Sequence, residues 1–326
     1  MSANAGPMSA GSYPNDSNSA MIQTRNLTLP HGTTLQYRES GAAGRPVLLL
    51  LHGFPEGAFI WDAMLAHFAQ PENGGYHCVA PYLRGFGESS SPGEVEAYRA
   101  KYLVQDLVAL VAAVSPDQPL ECLVAHDWGG AVAWNLANQQ PQLMRRLAIV
   151  NSPHPGTFLR ELQHNPAQQA NSQYMHFLCR PDAEALLAEN DFARLFAFFD
   201  DPEGRAPAWL TEEVRAQYRT LWRQGLTGAC NYYRASPLRP PRGDDNTIAG
   251  ISLPDSMLTV SIPTLVVWAM QDPALLPGLL DGLEGWIPQL QIDRIEAASH
   301  WVVHEQTERV MTALGRFLRG APAPSQ

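Results

Sequence analysis

Residues 120–137 read as a strand, a tight turn and a helix, and this junction limits the folds open to the chain more than any other segment. Residues 120–125 (LECLVA) are apolar enough for a short buried strand, and residues 131–137 (AVAWNLA) suit a helix. The turn between them is His126-Asp127-Trp128-Gly129-Gly130, with small residues, Ala125 and Gly129, two positions either side of Asp127. Small neighbours let a strained backbone push one side chain out of a strand-turn-helix elbow and into a pocket. A serine at such an apex attacks acyl carbons. A carboxylate suits displacement at a saturated carbon, which leaves an alkyl ester on the protein. An Asp-x-Gly-Gly helix cap would look the same locally, so the rest of the chain has to decide.

Further apolar runs repeat the strand signal at residues 47–51 (VLLLL), 77–80, 147–150, 264–268 and 291–295. The uninterrupted run at 47–51 is of the kind buried on both faces of a parallel sheet. Helical patterns fall between them, as at residues 103–114 and 131–138, and Val310, Leu314, Phe317 and Leu318 form one apolar helical stripe near the C-terminus. This alternation predicts an α/β fold whose mostly parallel central sheet is flanked by helices. It breaks over residues 155–236, where helical patterns occur without a strand and Val214, Tyr218, Leu221 and Trp222 make another stripe. A helical insertion between two strands of one sheet is read as a cap over its active edge. The expected division is a disordered extension over 1–20, a core over 21–154 and 237–326, and a cap over 155–236.

Composition narrows the function. The 326 residues are 45% hydrophobic and 17% charged, as expected of a globular enzyme with much buried surface. A net charge of −10 argues against sequence-independent binding to nucleic acid or to anionic membranes. No apolar run is long enough to span a bilayer. Cys78, Cys122, Cys179 and Cys230 form no CxxC pair and read as buried small hydrophobes in a reducing compartment. The first 20 residues are rich in Ser, Ala, Asn, Gly and Pro, with neither a basic start nor an apolar centre, so no export signal is expected. A cytoplasmic location follows by default.

Two more groups complete an Asp127-centred constellation. Nucleophile, acid and base follow in that order along a sheet of this kind. Asp272 follows the 264–268 strand, and His300 follows the 291–295 strand, just before the final helix. The chain has ten histidines. His126 adjoins Asp127 but is expected to point away from the pocket, and His154, His176 and His304 lie in less diagnostic surroundings. The rival acid position, after the 147–150 strand, holds Asn151, which cannot carry the charge. The turn His52-Gly53-Phe54-Pro55-Glu56, compatible with a cis bond at Pro55, can aim the Phe54 amide at the same point as the Trp128 amide. Together they form an expected oxyanion hole for charge developing on the Asp127 carboxyl during ester hydrolysis.

HGFPE, RGFGES (residues 84–89), HDWGG, a late Asp and a late His together resemble the epoxide hydrolases of the α/β-hydrolase fold. The resemblance runs from about residue 25 to the C-terminus. It implies that fold, with an inserted all-helical cap and no metal or organic cofactor. It also implies two cap tyrosines that protonate the leaving oxygen. The family's Asn-aromatic-Tyr-Arg motif matches Asn231-Tyr232-Tyr233-Arg234 and selects Tyr233 over its neighbour Tyr232; the first cap tyrosine is matched by Tyr174. Tyrosine, with a pKa near 10, can donate while staying neutral at pH 7.

The same nucleophile serves haloalkane and haloacetate dehalogenases, but Phe54 replaces the Asn that haloalkane dehalogenases often carry. No arginine follows Asp127 to anchor a haloacetate. A receptor that kept the fold would be expected to carry a damaged constellation, and a serine esterase would need a hydroxyl at the elbow. The resemblance thus implies a small apolar epoxide and water as reactants; it leaves homo-oligomerisation open. Phe192, Phe196, Trp209 and Trp222 are candidate pocket aromatics.

Overall fold

The computed structural model describes residues 21–320, so the extension expected over residues 1–20 lies outside the described residues. The sheet has eight strands: β1 (Gln23–Thr28), β2 (Thr34–Ser40), β3 (Val47–Leu51), β4 (His77–Pro81), β5 (Cys122–His126), β6 (Leu147–Val150), β7 (Thr264–Ala269) and β8 (Leu290–Ile295). Their spatial order is β1-β2-β4-β3-β5-β6-β7-β8. Antiparallel pairing is confined to β1 with β2 and β2 with β4; every other neighbouring pair is parallel. The chain steps from β3 outward to β4, then returns across β3 to β5. Order therefore reverses beside β3, and in open α/β sheets the crevice beyond the strands' carboxyl ends at such a switch point is where ligands bind.

Leu48, Leu49, Leu50 and Leu51 in β3 are wholly buried, as are Leu123 and Ala125 in β5. Each buried leucine contributes about 1.5–3 kcal/mol through removal of apolar surface from water. Six strands thus coincide with the apolar runs. β1 and β2 were not foreseen: β1 (QTRNLT) is exposed along most of its length, so no burial pattern marks it. It is held by antiparallel pairing with β2, from Gln23↔Glu39 to Thr28↔Thr34.

The helices are α1 (Asp62–Phe68), α2 (Ala100–Val114), α3 (Asp127–Gln139), α4 (Pro155–His164), α5 (Pro166–Asn171), α6 (Tyr174–Leu178), α7 (Ala183–Phe196), α8 (Glu212–Trp222), α9 (Thr227–Ala235), α10 (Val302–Glu305) and α11 (Thr307–Leu318). Helices α4 to α9 lie between β6 and β7 and form the all-helical cap. Helix α7 is broken internally: Asn190, Asp191 and Phe192 all have positive φ. The turn expected over residues 126–130 is mostly helical, because α3 begins at Asp127 itself.

The cap is tied to the core by hydrogen bonds spread over its helices. Trp222 donates Nε1–H to the Pro55 carbonyl (2.7 Å), and Trp301 of the core donates to Phe198 O (2.9 Å). Tyr232 donates its hydroxyl to Arg84 O (3.0 Å). Arg84, from RGFGES, is itself pinned by two 2.7 Å hydrogen bonds to Asp106, which assigns that motif a structural part. The cysteines are free; Cys78, Cys122 and Cys230 are buried, whereas Cys179 is only partly so.

Candidate active site

Segments leaving the carboxyl ends of β3, β5, β6, β7 and β8 converge on Asp127. It follows β5 directly and has φ of 49°, in the sparsely populated left-handed region. That conformation turns the chain from strand to helix within one residue. It also demands small neighbours: a β-carbon on Gly129 would stand 2.5 Å from the His52 carbonyl oxygen, and one on Gly53 would stand 2.3 Å from Asp127 Cβ. Ser152, just after β6, donates its hydroxyl to the Asp127 carbonyl (2.6 Å) and braces the turn.

The Phe54 amide donates to Asp127 Oδ1 (2.7 Å), as the HGFP turn led us to expect, and the Phe54–Pro55 bond is cis. The Trp128 amide lies in the first turn of α3, and its indole packs edge-on to Tyr233 at 5.0 Å.

On the other side of the carboxylate, His300 Nε2 lies 3.7 Å from Asp127 Oδ2, while its Nδ1 donates to Asp272 Oδ2 (2.6 Å). Asp272 also accepts hydrogen bonds from the Ala274 and Leu275 amides and from the Asn151 side chain (2.8 Å each from Ala274 and Asn151, 2.9 Å from Leu275). Burial opposes ionisation of Asp272, but the His300 charge and these donors outweigh it and hold the carboxyl below its usual value. Burial likewise works against a charged His300, yet Asp272, Asp127 and Glu56 together push the imidazole up to about 9.

Tyr174 and Tyr233 line the same cavity as Asp127 and Trp128, which has a volume of about 290 Å³. Their rings meet nearly perpendicular, with centroids 6.0 Å apart. Burial, with the negative charge of Asp127 nearby, raises both phenols well above their ordinary pKa. Both are therefore neutral donors at physiological pH. The adjacent Tyr232 also borders the cavity, but its hydroxyl is committed to Arg84.

Among the described residues that line the cavity, Asp127 is the one Asp, Glu, Lys, Arg or His. None of the four candidate cap aromatics is among the described residues that line it. Phe192 and Phe196 pack on Trp222 within the cap, and Trp209 stacks on His304 of the core at 4.1 Å. Phe158 and Met175, which periodicity did not single out, line the cavity instead.

A second buried cluster was missed. Glu56, fully buried, accepts from His304 Nε2 (2.7 Å) and the Tyr218 hydroxyl (2.8 Å) on one oxygen. Its other oxygen lies 3.2 Å from His126 Nδ1, and His126 Nε2 donates to the His300 carbonyl (3.0 Å). Burial raises the Glu56 carboxyl, but the two histidines overcome this and hold it below the usual carboxylate range. The signal in the sequence was a glutamate directly behind a buried glycine turn, in HGFPE. As expected, His126 is directed away from the pocket, beneath His300. His154 caps α4 and donates to Leu258 O (2.8 Å), and His176 donates to Pro240 O (2.9 Å), both structural uses. Among the described residues, no group of three or more His, Cys, Asp or Glu side chains is placed to hold a metal ion.

Residues 46–307 match the family described as the alpha/beta hydrolase fold. The chain is 31% identical over 294 residues to the AB hydrolase superfamily protein YfhM of Bacillus subtilis, covering 89% of this chain and 96% of that one. It is 30% identical over 295 residues to epoxide hydrolase 3 of Xenopus tropicalis, covering 88% and 75% respectively. Among solved structures, the Bacillus megaterium epoxide hydrolase in complex with an inhibitor superposes with a TM-score of 0.81 at 28% identity, over 90% of this chain and all (100%) of that one. By its sheet order, its helical cap and these relatives, the chain belongs to the α/β-hydrolase fold family, in the branch that holds the epoxide hydrolases.

Proposed function

We propose that this enzyme opens epoxides to vicinal diols through an alkyl ester on Asp127. The observation that carries the reading is the pairing, in one apolar cavity, of a carboxylate backed by His300 and Asp272 with two protonated tyrosines. An Asp127 oxygen attacks a ring carbon and the carbon–oxygen bond breaks. The leaving oxygen takes a proton from Tyr174 or Tyr233. Esterification then removes the Asp127 charge, one of the groups that hold His300 up. The imidazole thus holds a proton less tightly and is available in its neutral form in the second step, where it takes a proton from water as that water attacks the ester carbonyl. Charge developing on the Asp127 carboxyl faces the Phe54 amide, and a donor of this kind is worth about 3–4 kcal/mol. The Trp128 amide is assigned as the second donor. Cleavage releases the diol, and the proton held by His300 replaces the one the tyrosine gave up.

Release of a halide needs no proton, so the tyrosine pair favours an epoxide over a halogenated substrate. A small carboxylate would meet no Lys, Arg or His among the described residues that line the cavity. The division into a core (21–154 and 237–326) and a cap (155–236) belongs to the same reading, as does a cytoplasmic site of action. Among the described residues no helix is long and apolar enough to cross a membrane.

The origin of one oxygen tests the mechanism. With enzyme in excess over styrene oxide in ¹⁸O-water, a single turnover is expected to give mostly unlabelled diol and to place ¹⁸O in the peptide containing Asp127. Labelled diol in the first turnover would mean direct attack by water and would remove Asp127 as the nucleophile.

A further inference from the structure

The cavity runs along one face of α3. Asp127, Ala131, Val132 and Asn135 all line it, at positions i, i+4, i+5 and i+8 of the helix. Asn135 therefore stands two turns beyond the nucleophile, about 12 Å along the helix axis. Its end of the cavity is the outer one. Asn138, one turn further, donates to Ser256 O (3.0 Å) and Thr259 O (2.8 Å), which lays the 256–259 segment across α3. Met257, on that segment, also lines the cavity and is 53% exposed.

The polar side chains along this wall are otherwise committed. Ser152 donates to Asp127 O, Ser236 accepts from the Leu238 amide, Tyr98 donates to Pro92 O and Tyr232 donates to Arg84 O. Asn135 donates Nδ2 back to Ala131 O (2.8 Å), but among the described residues its Oδ1 accepts from no donor. A partly buried amide oxygen at the rim of an apolar wall gains most from a ligand that brings its own donor.

We propose that Asn135 is a specificity-determining residue that reads a neutral hydroxyl at the far end of a long apolar epoxide. The substrate class is then an elongated chain with the oxirane at one end and a hydroxyl about 12 Å away, the spacing set by two helical turns. The apolar body lies along Ala131 and Val132, and the hydroxyl donates to Asn135 Oδ1. A hydroxyl placed nearer the ring is stranded against apolar side chains and costs binding. This inference rests on the reading of the site as an epoxide hydrolase.

The test is a length series of 1,2-epoxyalkanes, each compared with its ω-hydroxy counterpart, measured as kcat/KM. The hydroxyl is expected to penalise short members. At the length that reaches Asn135 it should improve kcat/KM about three- to tenfold, the size of one neutral hydrogen bond, with the change carried by KM. In Asn135→Leu and Asn135→Ala, with folding checked by circular dichroism, that maximum should vanish. A penalty that is the same at every length in the wild-type enzyme, or a maximum that survives in both variants, overturns the proposal. Fluorescence titration with the corresponding diols and ω-hydroxy diols needs no turnover. If no epoxide is hydrolysed but the long ω-hydroxy diol still loses its binding advantage in both variants, the specificity assignment stands and the epoxide reading fails. Equal binding of both diols by the wild-type protein sinks the role of Asn135.

Discussion

The side-chain amide of Asn151 donates to the same oxygen of Asp272 that His300 Nδ1 engages, Oδ2, at 2.8 Å and 2.6 Å respectively. Asn151 also accepts the Ala269 amide (2.8 Å), so it is locked against β7 with its donor aimed at the acid. A position that could have held the acid itself instead supports the acid on the next strand. In Asn151→Ala, Asp272 loses a charge-assisted donor, a contact worth about 1.5–3 kcal/mol. We expect about a tenfold fall in kcat with little change in KM. Wild-type kcat in a folded variant would reduce Asn151 to a packing residue.

His300 is expected to act on the ester and not on the epoxide. The variant His300→Gln should still alkylate Asp127 but hardly hydrolyse the product. Intact-protein mass spectrometry should then show an adduct of one substrate mass. Failure of the adduct to form, with the fold intact, would place His300 in the first step.

In the proposed mechanism Tyr174 and Tyr233 share one proton-donating task. A positioned acid typically contributes about 10²–10⁴-fold. Tyr174→Phe and Tyr233→Phe should each slow ring opening in single-turnover experiments without abolishing it, because the other phenol still donates. The double variant should come close to no reaction. Tyr232→Phe loses only its hydrogen bond to Arg84 O and should be mild. A greater loss in Tyr232→Phe than in Tyr233→Phe would reverse the assignment.

The pH dependence of the two half-reactions should differ. In the resting enzyme the imidazole of His300 is held up to about 9, partly by Asp127. Ester formation discharges Asp127, so the group that must lose its proton titrates at lower pH in the intermediate. The rate of ester hydrolysis should rise with pH through an apparent pKa below about 9. Ester formation should be flatter over the same range, because His300 is not the base of that step. Stopped-flow protein fluorescence at acid pH should therefore show the intermediate accumulating. An ester-hydrolysis rate independent of pH would exclude His300 as its base.

Glu56 should matter to stability more than its place in a turn suggests. Glu56→Ala leaves His304 and Tyr218 without their shared acceptor and takes the carboxylate away from His126, and removing one partner of a buried charge cluster costs about 3–5 kcal/mol. Glu56→Gln keeps the shape and part of the hydrogen bonding and should cost less. Urea unfolding of the two variants beside the wild type would measure both, and equal stability of all three would show the cluster to be incidental.

Local signals determined much of this protein. Strand signals marked six of the eight strands; β3 to β7 are buried throughout, and strands buried on both faces need a dense run of apolar side chains, whereas β8 (LQIDRI) is only partly buried. The elbow at Asp127 was legible because a left-handed residue beside a close backbone approach requires small neighbours such as Gly129, and that demand is written within a few residues. The placement of Asp272 and His300 beside Asp127 was legible because each lies on a loop that leaves a strand of the same sheet. Tertiary structure alone decided the rest. β1 shows no burial pattern because its partner, not its composition, holds it in the sheet. Glu56 meets Tyr218 and His304 across 162 and 248 residues, and no short window of sequence records which distant donors will satisfy a buried carboxylate. The cap aromatics lie in similar helical segments, but only packing set Phe158 on the cavity and Phe196 against Trp222. Periodicity tells a side chain to be buried; what it is buried against depends on segments that meet only in the folded chain.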